Sequence, residues 1–348
     1  RDTKEGEAFT FTLSAADQAT KDALTKDVLV FQGDTNLDKS EISVTDLKNN
    51  NAKDFQFGEV RITQPGTYCF NVVENAPADD LGMTYDGHTA HVTVKVKDNN
   101  GRLELDGPVT YNNGEGKATD KAEFVNTYRA NTGYGTDMSL QIGKTLQGRP
   151  LESGEFTFAI SGIQTANSVT KEEADQKLSP TDKNFTNTQR ADAGVESLIV
   201  DKMSGVAFDQ NDAGKTFCYQ IEEVKPENAL PGVTYSTEKW VLEITVHDNA
   251  DGTMYTTSKV SRSGDESNVT EYNGKDGSDT AKVTFTNAYT TGGTEVDTDP
   301  TDKVAYFNKK LVGRDWLDTD EFTFTITPQN DAPAPEKTTA TVKKADDR

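Results

Sequence analysis

Lys215–Glu223 reads KTFCYQIEE, and this stretch decides the fold. Phe217, Tyr219 and Ile221 alternate with Cys218, Gln220 and Glu222, the period of two that marks a strand with one face toward a core. Glu223 keeps the phase of the apolar set. Two other segments break their pattern in the same way. Leu140, Ile142, Lys144 and Leu146 alternate along one strand, and Val283, Phe285, Asn287 and Tyr289 along another. A lysine, a glutamate and an asparagine are therefore expected to point into an apolar interior, where a lone charge is very costly. Buried together they can react instead: the Lys144 amine attacks the Asn287 amide and forms a covalent isopeptide bond.

An ammonium is no nucleophile, and burial favours the neutral amine. A buried glutamic acid that keeps its proton can donate to the asparagine carbonyl and relay protons as ammonia leaves. Folding supplies the proximity. The event happens once per domain, so Glu223 is expected to be catalytic only in a single-turnover sense, and the chain is not expected to be an enzyme with substrate turnover. Lys144 falls on the first strand of its repeat and Asn287 on the last. By analogy with a disulfide, closing a loop of roughly 140 residues contributes ~4–5 kcal/mol. Each residue also has an ordinary reading: Lys144 snorkelling from a strand edge, Glu223 a surface carboxylate like Glu222, Asn287 capping a turn. The three together, in a repeated setting, favour the bond.

Internal repeats organise the chain. Glu7–Leu13, EAFTFTL, recurs as GEFTFAI at Gly154–Ile160 and DEFTFTI at Asp320–Ile326. Gly66–Glu74, GTYCFNVVE, recurs as Lys215–Glu223, and Ala122–Tyr128, AEFVNTY, as Val283–Tyr289. The spacing predicts three units: repeat 1 over 1–129 without its first strand, a complete repeat 2 over 138–290, and the truncated start of repeat 3 over 303–348. Arg129–Asp137 and Thr290–Asp302, rich in Gly, Thr and Asp, are expected to be short linkers. Short alternating runs split by Asn-Gly and Asp-Gly turns predict an all-β protein. Ala15–Asp27 and Lys171–Lys177 are expected to hold a short helix or a long loop. Repeated all-β units of this size suggest tandem immunoglobulin-like sandwiches, arranged as beads on a rod. The chain reads as a window cut from a longer array.

Repeat 1 keeps Glu74 and Asn126, in phase with Tyr68, Phe70 and Val72 and with Phe124 and Tyr128. Its lysine is expected just before Arg1, because Arg1-Asp2 aligns with Arg314-Asp315; Lys4 falls after that point. Repeat 3 offers Lys309, in phase with Ala305, Phe307 and Leu311, while Lys310 points the other way. It lacks a Glu or Asn partner, so only repeat 2 can complete its own bond.

The chain has 348 residues, 33% hydrophobic and 27% charged, with a net charge of −22. That charge argues against a nucleic-acid backbone or an anionic membrane as partner, and no apolar run is long enough to span a bilayer. The two cysteines, Cys69 and Cys218, hold equivalent places in two repeats, so they read as unpaired thiols. No cofactor and no metal is expected. Asp248–Gly252, DNADG, lies between two strands and reads as a hairpin turn rather than a calcium loop. His88 and His91 fall on opposite strand faces and share no metal.

GKTLQGRPLESGEFTF, CYQIEE and FTNAY in repeat 2, with YCFNVVENAPADDLGMTY in repeat 1, resemble the isopeptide-linked pilin domains of Gram-positive bacteria, the streptococcal pilin linkage domain in particular. They are also similar to the B-type (CnaB-like) repeats of collagen adhesins. The resemblance covers repeats 1 and 2 almost throughout, and the start of repeat 3. It implies Lys144 as amine donor, Asn287 as acceptor and Glu223 as assisting acid. It also implies a structural stalk segment of an adhesin or pilus, extracellular and attached to the cell wall, with neighbouring repeats as partners and any host ligand left to a distal tip. The alternative is a ligand-binding module for a host glycoprotein or glycan, with the insertion between Ile163 and Val200 as its candidate surface.

Overall fold

The computed structural model describes residues 1–32, 41–45, 47, 48, 50–114, 116, 118–134, 138–275, 279–293, 307–329 and 334–344. The chain divides into two compact units, Arg1–Thr290 and Thr291–Arg348.

The first unit opens with β1 (Ala8–Ala15), β2 (Leu29–Gln32), β3 (Glu41–Thr45), β4 (Glu59–Ile62), β5 (Gly66–Asn75), β6 (Met83–Thr84), β7 (Thr89–Asn99), β8 (Arg102–Leu105), β9 (Thr110–Asn112), β10 (Ala118–Thr119), β11 (Thr127–Tyr128) and β12 (Asn131–Gly133). It continues with β13 (Met138–Gln147), β14 (Thr157–Ile163), β15 (Asn184–Thr186), β16 (Ser197–Lys202), β17 (Ala207–Asp209), β18 (Thr216–Val224), β19 (Val233–Thr234), β20 (Lys239–Asp248), β21 (Met254–Arg262), β22 (Asp265–Asn273) and β23 (Asp279–Tyr289). The two expected helix-or-loop segments hold helices, Gln18–Thr25 and Lys171–Lys177. Asp17 caps the first, and a Thr170/Glu173 capping box starts the second, each supplying an acceptor for otherwise unpaired N–H groups.

Repeat 2 is a sandwich of a six-stranded sheet, β15-β14-β18-β20-β21-β22, and a four-stranded sheet, β16-β13-β23-β19. Leu140, Ile142, Val283 and Phe285 on one layer meet Phe158, Tyr219, Ile221, Leu242 and Ile244 on the other, all fully buried. Burying each large apolar side chain contributes about 1.5–3 kcal/mol. The first and last strands, β13 and β23, lie side by side and parallel, with Lys144 opposite Phe285 and Leu146 opposite Asn287. A parallel pair needs a long crossover, and here the crossover is the rest of the repeat.

Repeat 1 builds the larger sheet, β10-β9-β7-β5-β1-β3 with β8 on β7. Its second layer is reduced to the pairs β2-β4 and β6-β11. The in-phase strand expected through Phe124, Asn126 and Tyr128 is corrected to its last two residues. Residues 121–126 form no regular strand; among the described residues no strand pairs with them, and the Val125 N–H donates to Asp86 Oδ2 instead.

The stretch expected as a bare linker also differs from expectation. Asn131–Gly133 is β12, which pairs antiparallel with β17 of repeat 2, and Tyr134 is buried with its N–H on the Val206 carbonyl. Just before it, the Tyr128 hydroxyl donates to Asp248 Oδ1 at 2.6 Å, and the Arg1 guanidinium lies 4.8 Å from the Tyr128 ring centre. Burial and that carboxylate push the Tyr128 phenol up to about 12. The Asp248–Gly252 hairpin turn is thus also a joint. Gly252 sits at φ +84°, and a methyl built on it would lie 2.9 Å from Gly82 Cα. Gly252→Val is therefore expected to part the two repeats. Small-angle scattering should show a longer, more variable particle; an unchanged profile would mean the close approach is dispensable.

The second unit contributes a hairpin of β24 (Glu321–Thr325) and β25 (Thr339–Lys343). Residues 294–306, which include Ala305 and most of the expected second linker, lie outside the described residues.

Candidate functional site

The sandwich brings Lys144, Glu223 and Asn287 together. Lys144 comes from β13, Asn287 from β23 beside it, and Glu223 from β18 of the facing sheet. The Lys144 side chain is fully buried, as is that of Glu223. Lys144 Nζ donates to Glu223 Oε2 at 2.6 Å, and Asn287 Nδ2 donates to Glu223 Oε1 at 2.5 Å. One carboxylate therefore holds both the Lys144 amine and the Asn287 amide nitrogen. Glu222 takes the other face and pairs with Lys239 at 2.7 Å.

Desolvation pushes the Lys144 amine below the ordinary lysine value, and Glu223 draws it part of the way back. The amine also lies 4.3 Å from the centre of the Phe156 ring, a cation–π contact available while it is charged.

One participant was not legible in the sequence. The backbone N–H of Ser236 donates to Asn287 Oδ1 at 2.7 Å. Because a backbone N–H only donates, this contact fixes which end of the amide is oxygen. Glu223 was expected to donate to the asparagine carbonyl; the geometry instead gives the carbonyl to Ser236 N–H and the amide nitrogen to Glu223. A donor aimed at the carbonyl oxygen is placed where negative charge would develop. The available signal was Gly82–Asp86, GMTYD, recurring as Gly232–Ser236, GVTYS, which sets Asp86 and Ser236 at the same point of their repeats.

Repeat 1 reproduces two of these three contacts. Asn126 Nδ2 donates to Glu74 Oε1 at 2.6 Å, and Asp86 N donates to Asn126 Oδ1 at 2.8 Å. Glu74 Oε2 is buried without a hydrogen-bond partner. Burial pushes the Glu74 carboxyl upward, against the pull of Asn126. In the second unit Lys309 Nζ lies 4.6 Å from the Phe322 ring centre. Phe322 of DEFTF corresponds to Phe156 of GEFTF, so Lys309 repeats the placement of Lys144.

A second repeated feature went unread. Arg1 pairs with Glu7, Arg149 with Glu155 and Arg314 with Asp320, an arginine six residues ahead of an acid each time. Arg1 and Arg149 also stack on Tyr128 and Tyr289, the last strand residues of their repeats. The signal was the Arg-x5-acid spacing before each Phe-Thr-Phe.

The remaining candidates find separate partners. Cys218 is buried and Cys69 half-buried, both as free thiols. His88 pairs with Asp86 at 2.6 Å and His91 with Asn71 at 2.7 Å. Among the described residues no cluster of three or more His, Cys, Asp or Glu could hold a metal ion, and no helix is long and apolar enough to cross a membrane.

An all-β chain in which two successive repeats each set a buried glutamate against an asparagine defines the class. The family described as FctA, Spy0128-like isopeptide containing domain, matches residues 2–129 and 140–290, and the chain belongs to it. Among solved structures it is similar to the major pilin from Streptococcus pyogenes, at 17% identity over 83% of this chain and 92% of that one, with a TM-score of 0.28. A point mutant of that pilin, an asparagine replaced by alanine, matches at 16% identity over the same shares, TM-score 0.28. The T-13 major pilin of Streptococcus pyogenes matches at 15% identity over 82% of this chain and 90% of that one, TM-score 0.24. No curated protein matches the chain.

Proposed function

We propose that this chain is a segment of a bacterial surface stalk, a pilus or adhesin shaft held outside the cell and attached to its wall. Its sandwich repeats, 1–129, 138–290 and the start of a third at 303–348, act as tensile modules. The observation that carries the reading is the buried Lys144–Glu223–Asn287 set, whose lysine and asparagine lie on the first and last strands of one sandwich. Family membership supports the same role.

In the proposed reaction the Lys144 ammonium passes a proton to Glu223 Oε2, and the freed amine attacks Asn287 Cγ. Charge gathers on Oδ1 against the Ser236 N–H. Glu223 delivers the proton it holds to Nδ2 and then takes one from the attacking nitrogen, which it keeps. The Cγ–Nδ2 bond breaks, ammonia leaves, and the new amide joins β13 to β23. The chain turns over no external substrate. The ligand-binding alternative would use the exposed surface of the Ile163–Val200 insertion, where Val195, Leu198 and Val200 are exposed; binding of the chain to host glycoproteins or glycans through that face would favour it.

Intact-mass measurement tests the proposal. The parent chain is expected one ammonia lighter than its sequence, and both Lys144→Ala and Glu223→Ala at full sequence mass. A parent at full sequence mass would overturn the crosslink.

A further inference from the structure

The groups around the Asn287 amide are divided between two sheets. Lys144 and Asn287 stand on neighbouring strands of the four-stranded sheet. Glu223 comes from β18 of the six-stranded sheet, and Ser236 lies in the crossing from β19 to β20. Where Glu223 Oε1 and the Ser236 N–H fall on the amide therefore depends on how the two sheets are held together at this end.

Trp240 spans that gap. Its backbone lies in β20 opposite Ile221, two residues before Glu223 on β18. Its indole Nε1 donates to the Thr284 carbonyl at 3.0 Å, three residues before Asn287 on β23. One side chain thus joins the strand beside the carboxylate to the strand that carries the amide. The contact falls where, among the described residues, β23 has a strand on one side alone: β13 pairs along its length, while β19 pairs with Ala288 and Tyr289. The indole is itself held. The Arg262 guanidinium lies 5.1 Å from its ring centre, Arg262 pairs with Glu238 at 2.9 Å, and the Glu238 N–H donates to Ser236 Oγ at 3.3 Å. Before Ser236, the buried Tyr235 ring meets Phe156 edge-on at 5.7 Å, and Phe156 is the ring against which the Lys144 amine stands. Repeat 1 has Ala90 at the matching place, opposite Val72.

We propose that Trp240 is a positioning residue for the crosslinking of repeat 2: its indole N–H, bonded to the Thr284 carbonyl, sets the spacing at which Glu223 and the Ser236 N–H grip the Asn287 amide while Lys144 attacks it. The proposal rests on the reading of repeat 2 as self-crosslinking. Trp240 touches none of the reacting atoms. It acts by holding in one place the two partners that the reacting pair does not carry on its own sheet, and misplacement of such groups by an ångström is enough to slow a reaction about 100-fold.

The test makes the full chain by cell-free synthesis, quenches samples in denaturant at intervals and reads the loss of ammonia by intact mass. Two changes are compared with the parent: Trp240→Phe, and benzothienylalanine at position 240, which keeps the shape of the indole and replaces its N–H with sulfur. Both are expected to lose the same single ammonia as the parent, roughly 10- to 100-fold more slowly. The isostere separates positioning from packing, because a residue that only fills space works equally well without its N–H. An isostere at the parent's rate with a slow Trp240→Phe would show that the ring matters and the hydrogen bond does not, which overturns the proposal. Both changes at the parent's rate overturn it as well, with the crosslink of repeat 2 left standing. A parent that never loses ammonia overturns the reading of repeat 2 beneath it.

Discussion

Pulled between its two ends, repeat 2 should not extend at forces that unravel an ordinary sandwich, whereas Lys144→Met should release roughly 450–500 Å of chain, about 140 residues at 3.3–3.6 Å each. The expectation follows from where the three residues sit. β13 and β23 are neighbours and parallel, and they are the strands through which tension enters and leaves the repeat. A covalent bond from Lys144 to Asn287 carries force from one to the other, so the six-stranded sheet is never stretched. Without the bond, the resistance is the β13–β23 ladder and the packing of Leu140, Ile142, Val283 and Phe285, which are noncovalent and yield together. Methionine is a fair replacement because it is close to lysine in length, fills the same apolar site and leaves no stranded ammonium. Glu223 would then stand as Glu74 does, with one oxygen on an asparagine amide. Single-molecule force spectroscopy makes the comparison. Equal extensions for parent and variant would sink the idea that repeat 2 is a closed tensile loop.

The strands and the phase of the site residues were legible because a sandwich strand writes its buried face into every second position. Lys144, Glu223 and Asn287 were visible as polar residues in apolar phase, and the repeats said which strands belong together. What escaped came from contacts between segments far apart in sequence. Ser236 acts through its backbone, and any residue there other than proline offers the same N–H. The Tyr128–Asp248 joint spans two repeats, and its turn reads as an ordinary hairpin until another domain is set against it. Asn131–Gly133 looks like a linker because Asn, Thr and Gly are turn-forming; it is a strand because β17 offers it an edge. The loss of regular strand at 121–126 is likewise invisible in AEFVNTY, whose alternation is intact. A strand forms only where a neighbour accepts its hydrogen bonds, and pattern alone does not supply the neighbour.

Glu223→Ala should cost repeat 2 more than Lys144→Met, although both abolish the crosslink and lose the same ~4–5 kcal/mol of loop restraint. The difference lies in what each leaves behind. Lys144→Met leaves a carboxylate that still accepts from Asn287 Nδ2, as Glu74 accepts from Asn126 Nδ2. Glu223→Ala leaves a lysine amine fully buried between two sheets, against the Phe156 ring and without its hydrogen-bond acceptor. It also removes the acceptor for Asn287 Nδ2. Breaking a buried ion pair by deleting one member costs about 3–5 kcal/mol, because the survivor keeps its desolvation penalty without its partner. Adding Lys144→Met to Glu223→Ala should therefore restore part of the loss, even though the double variant has neither reactive group. Denaturant unfolding of the parent, the two single variants and the double variant closes a thermodynamic cycle. The expected order of stability is parent, Lys144→Met, the double variant, then Glu223→Ala. A Glu223→Ala protein as stable as Lys144→Met would mean that the buried amine finds water or another acceptor when its carboxylate is gone. The low polarity that frees the Lys144 amine for attack would then be absent.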